Sequence, residues 1–182
     1  YRGRFPLLSD CPNLPPLAEA GVEIQFNDGI LFRDPLMRLN IHEVMESRIA
    51  WMPLFPGQSS EIIKRVLDWP DIKGLVLSTF GSGNAPTNAE LKALLSEADT
   101  RGVSVVNVSQ CSHGAVHPER YATAHMLRDC GVIPGGDMTT EAALTKFMHC
   151  LGQGLKGDDL RKAMRSNLRG EITQFSPLMP GH

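Results

Sequence analysis

No apolar run in this sequence of 182 residues approaches the ~20 residues that span a bilayer, so a membrane helix is excluded. Charge of one sign is lacking too. Eighteen Lys and Arg stand against twenty Asp and Glu, a net charge of −2. That balance supplies neither a basic field for a nucleic-acid backbone nor a polybasic membrane patch. Cysteine is sparse: Cys11, Cys111, Cys130 and Cys150 sit far apart, with no Cys-x-x-Cys pair. Spacing of this kind favours reduced thiols and a cytoplasmic location. The start, Tyr1-Arg2-Gly3-Arg4-Phe5-Pro6, does not read as a signal peptide, since no apolar stretch follows it. With no initiator Met, that beginning reads as a cut end. What is present is ordinary globular composition, 42% apolar and 21% charged, which excludes disorder for most of the chain. A chain of this length buries roughly 70% of its extended-state surface and needs no disulfide or metal staple.

The organisation changes along the chain. Pro12-Asn13-Leu14-Pro15-Pro16 reads as a rigid, extended connector. Val22, Ile24 and Phe26, then Ile30 and Phe32 beyond Asn27-Asp28-Gly29, alternate as the two arms of a β-hairpin. From residue 48 the period becomes that of strands and helices in turn. Ile49 to Phe55, Gly74 to Phe80 and Val103 to Val108 are apolar strand runs. Between them lie a helix capped by Ser59 or Ser60, with Ile62, Ile63, Val66 and Leu67 on one face, and a helix with capping-box spacing at Thr87-Asn88-Ala89-Glu90. Pro118 opens a third helix, with Thr123, Met126, Leu127 and Cys130 inward and Gly131 as its stop. Asp137 or Thr139 caps a fourth, with Leu144, Phe147, Met148 and Leu151 on its buried stripe. A last helix is expected from about 158 to 168, ending at Gly170. The order implies right-handed crossovers and a small parallel sheet. The expected architecture is therefore α/β: a small, Rossmann-like, three-layer domain over 48–173, preceded by a linker and hairpin over 1–47 and followed by a loose tail over 174–182.

In an open parallel sheet, ligands gather beyond the carboxyl ends of the strands, and two loops of unusual composition fall there. In Gly81-Ser82-Gly83-Asn84-Ala85-Pro86-Thr87-Asn88, glycines let backbone N–H groups approach a ligand, and the helix that follows favours an anion. A dinucleotide fingerprint is disfavoured because Pro86 replaces its third glycine. A plain tight turn and a small-molecule contact led by the Asn84 carboxamide both fit the spacing. The second loop runs from Ser109 through Cys111 and His113 to His117. Its zinc reading lacks a fourth ligand, and its nucleophile reading lacks a third orienting group. The remaining reading makes Cys111 a small hydrophobe. Arg161, Lys162, Arg165 and Arg169 read as a solvated basic face, His125 and His149 as surface or half-buried histidines, and Asp137 as a helix cap.

Four co-linear segments carry a family resemblance. They are Leu77-Ser78-Thr79-Phe80-Gly81-Ser82-Gly83-Asn84-Ala85-Pro86, Val106-Asn107-Val108-Ser109-Gln110-Cys111, Gly135-Gly136-Asp137-Met138-Thr139-Thr140-Glu141-Ala142-Ala143-Leu144-Thr145-Lys146 and Leu168-Arg169-Gly170-Glu171-Ile172-Thr173. Together they resemble the C-terminal domain of the L-asparaginase family, in its cytoplasmic, bacterial-type I branch, and the proline-rich connector fits its interdomain linker. The resemblance implies hydrolysis of L-asparagine to L-aspartate and ammonia, with no metal or organic cofactor. It also implies that the nucleophilic threonines belong to an N-terminal half whose Thr-Gly-Gly-Thr and Thr-Asp-Thr stretches are absent here. No catalytic residue is therefore expected in this chain. The implied partners are that N-terminal half, the substrate and further copies in a dimer or tetramer, with neither nucleic acid nor membrane.

By position in the motifs, the resemblance makes Asn84 and Tyr121 the substrate contacts, reaching across a dimer interface. Cooperative members of the branch hold a second asparagine with an arginine and a loop cysteine, so Ser78 and Cys111 mark the candidate allosteric pocket here. Ser78 is short and neutral where that arginine would form a bidentate fork, which sets this chain apart from the cooperative members. Two other readings stay open: a stand-alone amino-acid-sensing domain, and a subunit of a tRNA-dependent amidotransferase.

Overall fold

The structure, a computed structural model, describes residues 16–28, 41–112, 114–116 and 122–173. The chain divides into two compact units, Tyr1–Ile41 and His42–His182. In the first, β1 (Ala18–Ala20) pairs antiparallel with β2 (Ile24–Phe26). This hairpin turns at Gly21-Val22-Glu23, ahead of the expected turn at Asn27-Asp28-Gly29. Ala18 faces Phe26 and Ala20 faces Ile24, so Ile24–Phe26 is the returning arm. Alternation alone does not say on which side of such a run its partner lies. Ile30 and Phe32 lie outside the described residues.

The second unit holds a parallel sheet of β3 (Ile49–Pro53), β4 (Gly74–Thr79), β5 (Ser104–Ser109) and β6 (Ile133–Pro134), side by side in chain order. Helices α1 (Ser60–Leu67), α2 (Ala89–Thr100), α3 (Ala122–Asp129), α4 (Thr140–Gly152) and α5 (Gly157–Arg165) complete it. Every residue of β4 is buried, as an inner parallel strand covered on both faces requires. Alternate residues feed two cores. Leu75 and Leu77 join Ile63, Leu67, Leu91, Leu95 and Leu127 under the first three helices. Val76, Val106 and Val108 join Phe147, Leu160 and Met164 under α4 and α5. Three layers result, as the periodicity implied. β6 was not expected as a strand, because a pair of residues before Gly135 carries no periodicity.

The caps resolve the sequence alternatives. Ser59 Oγ accepts from Glu61 N, and Thr139 Oγ1 from Ala142 N at 3.2 Å. Asn88, not Thr87, caps α2: its Oδ1 accepts from Leu91 N at 2.7 Å, and Leu91 occupies the place where a capping box needs a glutamate. Thr139→Ala should cost about 1 kcal/mol in urea unfolding, the ordinary loss for a hydroxyl cap. Gly131, with φ 80°, closes α3 as expected. Its Met126 is half-buried and its Leu127 and Cys130 buried, while the Thr123 side chain and Pro118 lie outside the described set.

Three helices differ from the expected reading; in α1, Ile63 and Leu67 of the expected face are buried but Ile62 is exposed. α4 is rolled, so that Ala143, Lys146, Phe147 and Cys150 face inward, while Leu144, Met148 and Leu151 sit at the margin. The roll seats the Phe147 ring against Gly74, where a Cβ would clash with Cε1 and Cζ. It also carries Lys146 to Glu171 Oε1 at 2.6 Å. α5 ends at Arg165 rather than near 168. Past that point the Glu171 carboxylate accepts from Leu168 N and Arg169 N, and Lys146 Nζ donates to Ser166 O, so the chain turns away from helix. Arg161 is not simply part of a solvated face, for it donates to Gly131 O and to Asp99 Oδ1, joining α5 to the ends of α3 and α2.

Candidate functional site

Because all four strands run the same way, the loops after β4, β5 and β6 emerge at one edge of the sheet. The first is a closed turn. Phe80 N donates to Asn84 O at 2.9 Å and Asn84 N to Phe80 O at 2.8 Å, with Gly81, Ser82 and Gly83 between them. Gly81 at φ 52° and Gly83 at φ 101° occupy backbone regions that other residues rarely enter. A Cβ on Gly83 would also press on Val116 Cγ1 and Asn107 Nδ2. Asn84 ends the turn with a half-buried side chain.

The second loop is fastened to the first and the third. Ser109 Oγ donates to Gly81 O at 2.5 Å and accepts from Cys111 N at 3.0 Å. Gly114 lies against the Ser109 side chain with no room for a Cβ, and Val116 N donates to Gly136 O at 2.8 Å. Cys111 is exposed on this loop and bonded to no other described cysteine. Gln110 Nε2 donates to Leu54 O at 2.6 Å and Ser78 O at 2.9 Å, closing the ends of β3 and β4. Beneath the loops, Thr79 Oγ1 donates to Asn107 Oδ1 at 2.7 Å, and Asn107 Nδ2 donates to Gly83 O at 3.2 Å.

The other residues singled out from the sequence fall at different depths. Ser78 is 2% exposed, and its Oγ accepts from Trp51 Nε1 at 2.8 Å and lies 3.5 Å from Thr140 Oγ1. The indole of Trp51 therefore stands against the side chain that the resemblance placed in an allosteric pocket, whereas Cys111 is at the surface. Tyr121, His113 and His117 lie outside the described residues. Asp137 does not cap α4. Its carboxylate accepts from Thr173 N at 2.8 Å and from Thr173 Oγ1, tying the closing motif to the loop after β6. His125 is exposed, and His149 is half-buried with its ring edge-on to His42, centroids 5.4 Å apart. Among the described residues no group of His, Cys, Asp and Glu side chains is placed to hold a metal ion. Nor is any helix among them long and apolar enough to cross a membrane.

The sequence model of the glutaminase/asparaginase C-terminal domain matches residues 48–164. The chain belongs to that family. L-asparaginase 1 of Escherichia coli K12 is 42% identical over 162 residues, which cover 89% of this chain and 48% of that protein. The 60 kDa lysophospholipase of Homo sapiens is 40% identical over 164 residues, 89% of this chain and 28% of that protein. The crystal structure of L-asparaginase I from Vibrio cholerae agrees with a TM-score of 0.83 at 42% identity, covering 90% of this chain and 49% of that one. A glutamyl-tRNA(Gln) amidotransferase protein of Pyrococcus abyssi is more distant, at 35% identity over 138 residues. The chain spans about half the length of these two bacterial L-asparaginases.

In this asparaginase-family domain, sequence reading located the loops but assigned no role to Thr79, Asn107, Ser109 and Gln110, which hold them. A signal was present. Asn107 and Ser109 are polar residues two apart in an inner strand whose other residues from Val105 on are valines, and a strand puts such positions on one face.

Proposed function

We propose that this chain is the C-terminal, substrate-positioning half of an L-asparaginase, whose attacking threonines are supplied by an N-terminal α/β half. The observation that carries this reading is Asn84, presented by a closed glycine turn beyond the sheet edge, in a domain 42% identical to L-asparaginase 1 of Escherichia coli. A carboxamide can donate to the α-carboxylate of asparagine or accept from its ammonium group. Either contact orients the side-chain amide for attack without taking part in bond making. In this reading Asn84 reaches substrate held by the neighbouring subunit of a dimer, and Tyr121 assists it. The protein works in the cytoplasm, and no cofactor enters the reaction. The same reading assigns 1–47 to the linker and hairpin, 48–173 to the domain and 174–182 to the tail.

In the protein carrying both halves, Asn84→Ala should lower kcat/KM for asparagine by at least about tenfold, a loss of roughly 1.4 kcal/mol in transition-state stabilisation. Wild-type kinetics in that variant would remove Asn84 from the site. The present chain alone should release no ammonia from asparagine in a coupled assay. Calorimetry separates the sensing alternative, since asparagine binding tightly to this chain alone would favour a sensor. The amidotransferase reading is disfavoured by the net charge of −2 and by the greater distance of those relatives.

A further inference from the structure

β5 meets the glycine turn at two points with a matching repeat. Asn107 and Ser109, two residues apart on one face of the strand, donate to Gly83 O and Gly81 O, two residues apart on the turn. A carbonyl oxygen only accepts, so the amide nitrogen of Asn107 must face Gly83. That leaves Asn107 Oδ1 for the hydroxyl of Thr79, in the strand from which the turn springs. Asn107 is 2% exposed and Thr79 is fully buried, so neither can touch a ligand at the surface. Both ends of the Asn107 amide are satisfied, which fixes its rotamer in a low-dielectric setting where an unmatched group would be costly.

We infer that Asn107, held by Thr79, is the positioning residue that sets the conformation of the Gly81–Asn84 turn and through it the direction of the Asn84 carboxamide. The inference rests on the reading above, in which Asn84 is the group that meets substrate. Glycines at φ 52° and 101° have wide conformational freedom, so the turn needs restraint from outside itself. Its own backbone bonds to Phe80 fix the two ends but leave the carbonyls of Gly81 and Gly83 to be oriented. The side chains of β5 supply that orientation from a strand that is itself buried on both faces.

Two measurements test this. The first is amide hydrogen exchange by NMR on the present chain, which does not depend on any activity. In Asn107→Ala, Gly83 N–H and Asn84 N–H should exchange at least about tenfold faster, while the β4 amides of Val76 and Leu77 keep their wild-type rates. Equal acceleration of all four would mean a purely structural role and overturn the inference, as would unchanged rates at Gly83 and Asn84. Thr79→Val, which keeps the side-chain shape, repeats the test if Asn107→Ala does not fold, and Thr79→Ser should restore the wild-type pattern.

The second is a double-variant cycle in the protein carrying both halves. Asn107→Ala alone should lower kcat/KM by about tenfold, and less than about twofold further when Asn84 is already alanine. Losses that multiply to about a hundredfold would show that Asn107 acts apart from Asn84. If the wild-type protein hydrolyses no asparagine, the functional proposal fails while the exchange result still decides the positioning role.

Discussion

Replacing Lys146 by alanine is expected to remove about 3–5 kcal/mol of folding stability, the effect of leaving one partner of a buried ion pair uncompensated. The side chains of Lys146 and Glu171 are only 4% and 14% exposed, with Nζ 2.6 Å from Oε1. Against a total of about 5–15 kcal/mol for a domain, that loss is large. Glu171 cannot simply relax into water, because its carboxylate also receives Leu168 N and Arg169 N and so shapes the segment after α5. Burial pushes the Glu171 carboxyl up, but the ammonium of Lys146 and these backbone donors outweigh it and hold the group below its ordinary value.

The sign of the pH dependence follows. A depressed folded-state pKa contributes stability that is complete above the unfolded glutamate value, about 4.3, and that is lost as pH falls through the lower folded value. In Lys146→Ala burial acts unopposed by the ammonium, so the deficit should be greatest at neutral pH and shrink once Glu171 is protonated. Urea unfolding of both proteins at pH 7 and below about pH 4 checks this. A constant deficit across that range would refute the pairing argument. Lys146→Met combined with Glu171→Gln should recover part of the loss, since the amide oxygen of glutamine still accepts from Leu168 N.

Phe147→Ala should cost a similar amount, about 3–5 kcal/mol, as expected for a fully buried aromatic whose removal leaves a cavity. The ring has no exposure and fills the space above Gly74, which has no Cβ. The complementary change makes the argument specific. Gly74→Ala alone should overpack the same spot at about 1–3 kcal/mol. With Phe147→Leu already present, the added methyl should cost clearly less than it does alone, giving a coupling of roughly 0.5–3 kcal/mol. Strict additivity in urea titrations would show that the ring and the glycine are not packed as described.

Most of the layered fold was legible because it is local. β3, β4 and β5 are apolar runs bounded by turn residues, and Ser59 and Thr139 cap their helices with hydroxyls in the expected places. The misreadings share one cause, which is that local periodicity does not record what lies across the core. Leu144, Met148 and Leu151 make as plausible a buried stripe as Ala143, Phe147 and Cys150 until Gly74 and Glu171 are in place. Alternation gave no sign that Ile24–Phe26 has a partner before it, Ala18–Ala20. β6 had too few residues to show a pattern.

The sequence by itself determined the alternation of strands and helices, the parallel sheet that follows from it, and the glycine-rich turn with its asparagine at the sheet edge. Each depends on spacing within about a dozen residues, where backbone preference and hydrophobic period act directly. Only the tertiary structure decided which polar groups hold that turn. Asn107 meets Thr79 across 28 residues of sequence and Gly83 across 24. Contacts of that reach are set by how β4 and β5 align, and the alignment comes from burying the two apolar faces together.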